Sequence, residues 1–164
     1  MTSNLVHNGI YAAMIGDLRP GRFHWMMYIA EGASGGWVLH AIDQPVVGVF
    51  HFVKERWTDL NRRGVMAYVK IGQIMDGLDV DSVCEYVKDI QCSVVPPGQR
   101  DRGERAFSCR VWFKEAIRIL NEAEMFVQCA DVNALEGEII TFAVKAQYGG
   151  RIEYAVASNA RSWP

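Results

Sequence analysis

Short apolar, β-forming runs punctuated by glycine fill the first half of the chain. They predict strands over residues 10–15, 23–29, 37–42, 46–53 and 65–71. Pro20-Gly21 marks a turn over residues 17–22, and the glycine-rich stretch 32–36 marks a hairpin connection. The second half changes period. Val83, Val87 and Ile90 share one helical face, so a helix capped by Asp81 or Ser82 runs to about residue 90. Residues 95–105 are polar and proline-bearing and read as a loop. Ser108 then caps a helix over residues 109–121, whose apolar positions Val111, Trp112, Ala116, Ile119 and Leu120 follow helical spacing. A third helix begins after Asp131 or Asn133, covers residues 135–147 and is closed by Gly149-Gly150. The tail, 151–164, is expected to add an edge segment or to fray. There is no internal repeat. Strands first and helices later predict an α+β fold. In it an antiparallel meander of about four to six strands packs on about three helices, within one domain spanning residues 1–164.

Composition narrows the function classes. Of 164 residues, 50% are hydrophobic and 22% charged, which describes a folded chain with its own core. The net charge of −2 argues against a generic nucleic-acid binder. The four cysteines, Cys84, Cys92, Cys109 and Cys129, form no C-x-x-C pair and have no histidine at ligand spacing, so no zinc site and no other metal is expected. No phosphate loop, dinucleotide fingerprint or serine elbow occurs, so no cofactor is expected. Asp76, Asp79 and Asp81 read as a solvated helix entry, because a calcium loop would need a later glutamate. Residues 1–8 carry no basic leader, and no apolar run is long enough to span a bilayer. With several thiols, that predicts a cytoplasmic protein without a stable membrane anchor.

The candidate chemistry rests on three residues. Strand alternation places His24, Met26 and Tyr28 on one face and Trp25, Met27 and Ile29 on the other. A hairpin through residues 32–36 brings the start of one strand beside the end of its partner, and so His24 beside His40. Cys109 follows the capping Ser108 and lies in the first turn of its helix, where unpaired N–H groups and the helix dipole favour a thiolate. Taken singly, a strand histidine or a free cysteine is more often a packing residue than a catalyst. Cys84, Cys92 and Cys129 are assigned to packing, His7 to the terminus, and His51 is a reserve for the orienting role. Arg100, Arg102 and Arg105 are interleaved with acids and read first as a solvated loop. The sharper reading makes that loop a lid whose arginines hold an anionic substrate.

The stretch His24-Trp25-Met26-Met27-Tyr28-Ile29, the glycine loop, Val38-Leu39-His40, and much later Ser108-Cys109-Arg110-Val111-Trp112-Phe113 together resemble the lecithin:retinol acyltransferase family. They are similar also to the H-rev phospholipase/acyltransferases, to PPPDE-type peptidases in chain order, and to small fungal proteins with the same His-strand and Cys-helix layout. The resemblance covers residues 23–42 and 106–120. It implies a permuted relative of the NlpC-type, papain-like fold, with Cys109 as nucleophile, His24 as general base and His40 fixing the imidazole. Two departures shape the expected substrate. The cysteine motif reads Ser108-Cys109-Arg110-Val111-Trp112 where those relatives carry N-C-E-H-F. The chain also ends in small, polar and basic residues where the lipid enzymes carry an apolar anchor.

The expectation is therefore a cysteine-dependent hydrolase or acyltransferase acting on an ester, thioester or amide of a soluble small molecule. Tyr28, Trp112, Arg110 and Arg105 are the candidates for substrate contact. The competing expectations are a non-catalytic small-molecule binding domain and a biosynthetic cyclase or isomerase on the same fold.

Overall fold

The structure, a computed structural model, describes residues 5–17, 21–32 and 35–164. The predicted turn at Pro20 and the centre of the 32–36 hairpin fall outside these residues. Ten elements follow in order: β1 (Gly9–Gly16), β2 (Phe23–Ala30), β3 (Gly36–Ile42), β4 (His51–Trp57), β5 (Val65–Gln73), α1 (Val80–Val87), α2 (Pro97–Asp101), α3 (Cys109–Glu122), α4 (Val132–Gly149) and β6 (Glu153–Val156). The class is α+β, as the period change implies.

The six strands form one sheet in the order β4-β3-β2-β1-β5-β6. β1 to β4 are a meander of antiparallel neighbours. β5 departs from it by pairing with β1 on the far side, also antiparallel. β6, formed by the tail, adds a parallel edge through pairs such as Tyr68 with Tyr154. The strand predicted over residues 46–53 is shifted: regular pairing starts at His51 and continues to Trp57. The residues before it, including the exposed Val46, Val47 and Val49, are connection. Their valines have high strand propensity, but no neighbouring strand satisfies their backbone.

All three longer helices cover one face of the sheet. Trp25, Met27 and Ile29 of β2, with Leu39 and Ala41 of β3, meet Val83 and Val87 of α1, Trp112, Ala116 and Leu120 of α3, and Leu135, Ile139 and Ala143 of α4. The opposite face carries Tyr11, Met26, Tyr28, Val38, Trp57 and Tyr68 in a second apolar cluster, completed by Leu5 and Leu60. The alternation expected along β2 is therefore the one observed.

Helix α3 starts where its cap says it should. Ser108 is extended, and its hydroxyl accepts the Val111 N–H at 3.3 Å. The cap of α1 is Asp79, not the expected Asp81 or Ser82: it forms a reciprocal capping box with Ser82, so the helix begins at Val80. Asp131 accepts the N–H groups of Asn133 and Ala134, and α4 ends at Gly150, whose left-handed φ of 69° suits glycine. The proline-bearing loop contains a short turn of helix, α2, with Pro97 at its first position, where a missing N–H costs nothing.

Candidate active site

The two histidines predicted to meet do so. The Nε2 of His24 lies 2.7 Å from the Nδ1 of His40, a hydrogen bond between rings that meet edge to face. His24 lies near the start of β2 and His40 near the end of β3, on the same face as Met26 and Val38. Pairing between the two strands runs from Ala30–Gly36 only as far as Met27–Leu39. Beyond that point the strands separate, and the histidine pair fills the opening.

Cys109 reaches this opening from the helical face. The first turn of α3 abuts the start of β2, and the thiol is half-buried against the backbone N–H of Trp25, the neighbour of His24. A cavity of about 420 Å³ on one side of Cys109 is lined by Arg22, Phe23, Trp25, Ser108, Arg110 and Glu136. A second, of about 470 Å³, brings Cys109 together with His24, Asp43, Gln44, Phe50 and Ala41. Cys109 and Ser108 thus stand between two lobes of one cleft, with the imidazole in only one of them. No hydrogen bond joins the Cys109 sulfur to His24 among the described residues; the imidazole bonds to His40 instead.

Electrostatics correct one expectation. A helix N-terminus favours a thiolate, and the N–H groups of Trp25, Arg110 and Cys109 itself do pull the Cys109 pKa down. Burial is the larger effect and pushes the thiol up overall, because the charged form loses more hydration than those dipoles return. Burial also lowers the pKa of His24, opposed by the carboxylates of Asp43 and Glu55. His40 is driven down to about 3, first by burial and then by the positive charge of His24, Arg62 and His51. At neutral pH the site therefore holds a neutral thiol and two neutral imidazoles.

Tyr28 and Trp112 do not reach this cleft, which corrects their expected role. Tyr28 is wholly buried on the face away from the helices, between Tyr68 and Trp57. Trp112 is wholly buried under the sheet and stacks on Phe52 at 5.7 Å. Both are large aromatic residues, and the sheet uses them as core. Arg105 lines a separate cavity of about 420 Å³ with Ser93, Val95, Arg100 and Phe107. His51, the reserve orienter, is exposed at the start of β4. Cys84, Cys92 and Cys129 are unpaired and lie in or against the helical core.

Arg110 does line the cleft, but its guanidinium is already engaged. It donates to Glu104 at 2.6 and 2.7 Å and to Glu136 at 2.5 Å. Lys114, 2% exposed, approaches the same carboxylates at 3.2 and 3.6 Å. This four-membered network ties the 95–107 loop and α4 to the first two turns of α3, and so fixes the turn that carries Cys109. Glu104→Ala removes a shared acceptor and leaves Lys114 with Glu136 alone. The expected cost is about 3 kcal/mol, read as a lower urea midpoint at unchanged slope.

Sequence reasoning missed Glu55, Asp43, Arg22 and Phe50. The last three flank the cleft through the connections before β2 and β4. Glu55 lies on β4, and its Oε1 is 3.7 Å from His40 Nε2. Shifting the predicted strand to residues 46–53 had left Glu55 outside the sheet, so the register that exposes it was lost.

What these observations define is an α+β domain with a helix-terminal cysteine and a histidine pair at the open end of a sheet. The model of a family of unknown function (DUF6540) matches residues 10–127, and the chain belongs to that family. The matched region spans every strand of the meander, β5, and the cysteine helix α3. No curated protein and no solved structure matches the chain. Among the described residues no helix is long and apolar enough to cross a membrane.

Proposed function

We propose that this protein is a cysteine-dependent hydrolase or acyltransferase on a permuted papain-like fold, acting on an ester, thioester or amide of a soluble small molecule. The observation that carries the reading is the 2.7 Å His24–His40 hydrogen bond at the edge of the cavity that Cys109 also lines. Because His40 takes up Nε2 of His24, Nδ1 is the nitrogen left for a reacting group in that cavity.

In this mechanism the Cys109 sulfur attacks the substrate carbonyl carbon as its proton passes to His24 Nδ1. The backbone N–H of Cys109, at the open end of α3, supports the developing oxyanion, with the Trp25 N–H beside it. The carbon–leaving-group bond breaks, and His24 returns the proton to the departing atom. Water, an alcohol or an amine then takes the acyl group from sulfur by the same steps in reverse. Since the lobe holding His24 must contain the leaving group and the acceptor, the lobe at Phe23, Trp25 and Ile140 takes the acyl part.

The resting site is neutral, so proton transfer accompanies attack and is not complete before it. That sets the pH profile. The His24 pKa lies below its ordinary 6.5, so kcat/KM is expected to stay level above pH 7 and to fall only below pH 6.5. Stability follows the same direction. Both imidazoles are neutral in the fold and bind protons more readily when unfolded. Their contribution is present above pH 6.5 and is lost as pH falls toward the His40 value of about 3. Thermal midpoints between pH 7.5 and 4 check the second statement, and initial rates over the same range check the first.

The deciding experiment is intact-mass analysis after exposure to a panel of activated esters and thioesters. One acyl group per chain, mapped to Cys109, is the expected result. The raised thiol pKa favours a second reading, a small-molecule binding domain with an inert cysteine. No adduct across the panel, with slow equal alkylation of all four cysteines, selects it.

A further inference from the structure

We infer that Glu55 is a positioning residue for the proposed reaction: across three adjacent strands it sets the tautomer of His40, which in turn sets that of His24. The inference rests on the catalytic reading of Cys109 and His24.

The sheet register builds the row. Val38 pairs with Glu55 and His40 pairs with Val53, so Glu55 and His40 lie on one face as diagonal neighbours of β4 and β3. His24 lies on the same face of β2, bonded to His40. The row therefore runs Glu55, His40, His24. His40 is 5% exposed, and its Nε2 is a buried nitrogen with no hydrogen-bond partner. Glu55 Oε1 lies 3.7 Å from it. That carboxylate is itself held in place, because the Trp57 indole N–H donates to the same oxygen at 2.9 Å.

A neutral imidazole carries one proton, on either nitrogen. If the His40 proton were on Nδ1, the buried Nε2 lone pair would point toward the half-exposed Glu55 carboxylate, and like charge densities would repel. With the proton on Nε2, the N–H faces Glu55 and Nδ1 becomes an acceptor. The 2.7 Å bond then requires that His24 donate from Nε2, which leaves the His24 Nδ1 lone pair free. This is the form a general base needs. The opposite assignment places a proton on His24 Nδ1 and blocks it. Asp43 and Glu55 both hold the His24 pKa up against burial, and the Arg62 cation pushes that of His40 down.

The test uses the full chain labelled with 15N-histidine. Long-range 1H–15N correlations at pH 7.5 report which nitrogen of each ring is protonated. Wild type is expected to show His40 and His24 both protonated on Nε2. Glu55→Gln keeps the length and an acceptor for Trp57 but loses the charge. It is expected to raise the Nδ1-protonated fraction of both rings and to lower kcat about tenfold, with KM unchanged within about twofold. Wild-type His40 protonated on Nδ1 overturns the inference, even if the variant does not fold. So do identical tautomers in wild type and Glu55→Gln. The tautomers are read without turnover, so the two readings separate. Absent acylation with shifted tautomers removes the enzyme reading alone. Acylated Cys109 with unmoved tautomers removes Glu55 alone.

Discussion

Cys109→Ala is expected to remove turnover and covalent labelling together. Every step of the proposed reaction passes through the sulfur, and among the described residues lining this cavity with His24 the cysteine is Cys109. Loss of a nucleophile leaves only binding and oxyanion contacts, so the rate is expected to fall by on the order of 10⁴-fold or more. The fold should persist, because alanine is the best helix former and the Ser108 cap does not use the Cys109 side chain. The measurement is a rate assay with intact-mass analysis, paired with a thermal melt. Equal rates in wild type and variant would reject the covalent mechanism.

The second large effect belongs to His24. His24→Ala removes the imidazole that shares a cavity with Cys109, and with it the acceptor of the thiol proton. General-base loss is expected to cost roughly 10²–10⁴-fold in kcat. Because burial holds the thiol above its ordinary pKa, the variant should regain rate steeply as pH rises and hydroxide replaces the base. Wild type should lack that slope. His40→Ala is expected to lose less, since a second donor or acceptor only restrains the ring, and its profile should keep the wild-type shape. A His24→Ala variant with an unchanged pH–rate profile would remove His24 from the mechanism, whatever its rate.

The contrast between α3 and β4 explains where sequence reasoning succeeds. Ser108 announces the start of α3 by local chemistry: one hydroxyl, one unpaired N–H, three residues apart. Nothing distant is needed, so Cys109 falls in the first turn as expected. The β4 boundary has no such local device. Residues 46–49 are as β-prone as those that follow, and only pairing with β3 decides that the strand begins at His51. The error hid Glu55, whose position is a matter of register and nothing else.

Alternation along β2 was legible for the same local reason as α3. Successive Cβ atoms of an extended chain point to opposite faces, so Trp25 and Met26 part company without reference to any other residue. Which face the helices cover was not legible, and that decided the roles of the aromatic residues. Tyr28 and Trp112 have the size and polar tips of substrate contacts, yet burial on opposite sides of the sheet makes both of them core. The charge on Cys109 was likewise a tertiary outcome. The helix terminus is written in the sequence and favours a thiolate, but the depth of the thiol beneath its neighbours is not, and desolvation outweighs the dipole.

By itself, then, the sequence determined the α+β class, the caps of α3 and α4, the alternation along β2 and the meeting of His24 with His40. Each follows from bonds or turns spanning a few residues. Tertiary structure alone decided the join of β5 to β1, the parallel edge of β6, the engagement of Arg110 by Glu104 and Glu136, and the row from Glu55 to His24. Those depend on which distant segments share a face and how far each is withdrawn from water, and neither quantity is carried by local spacing.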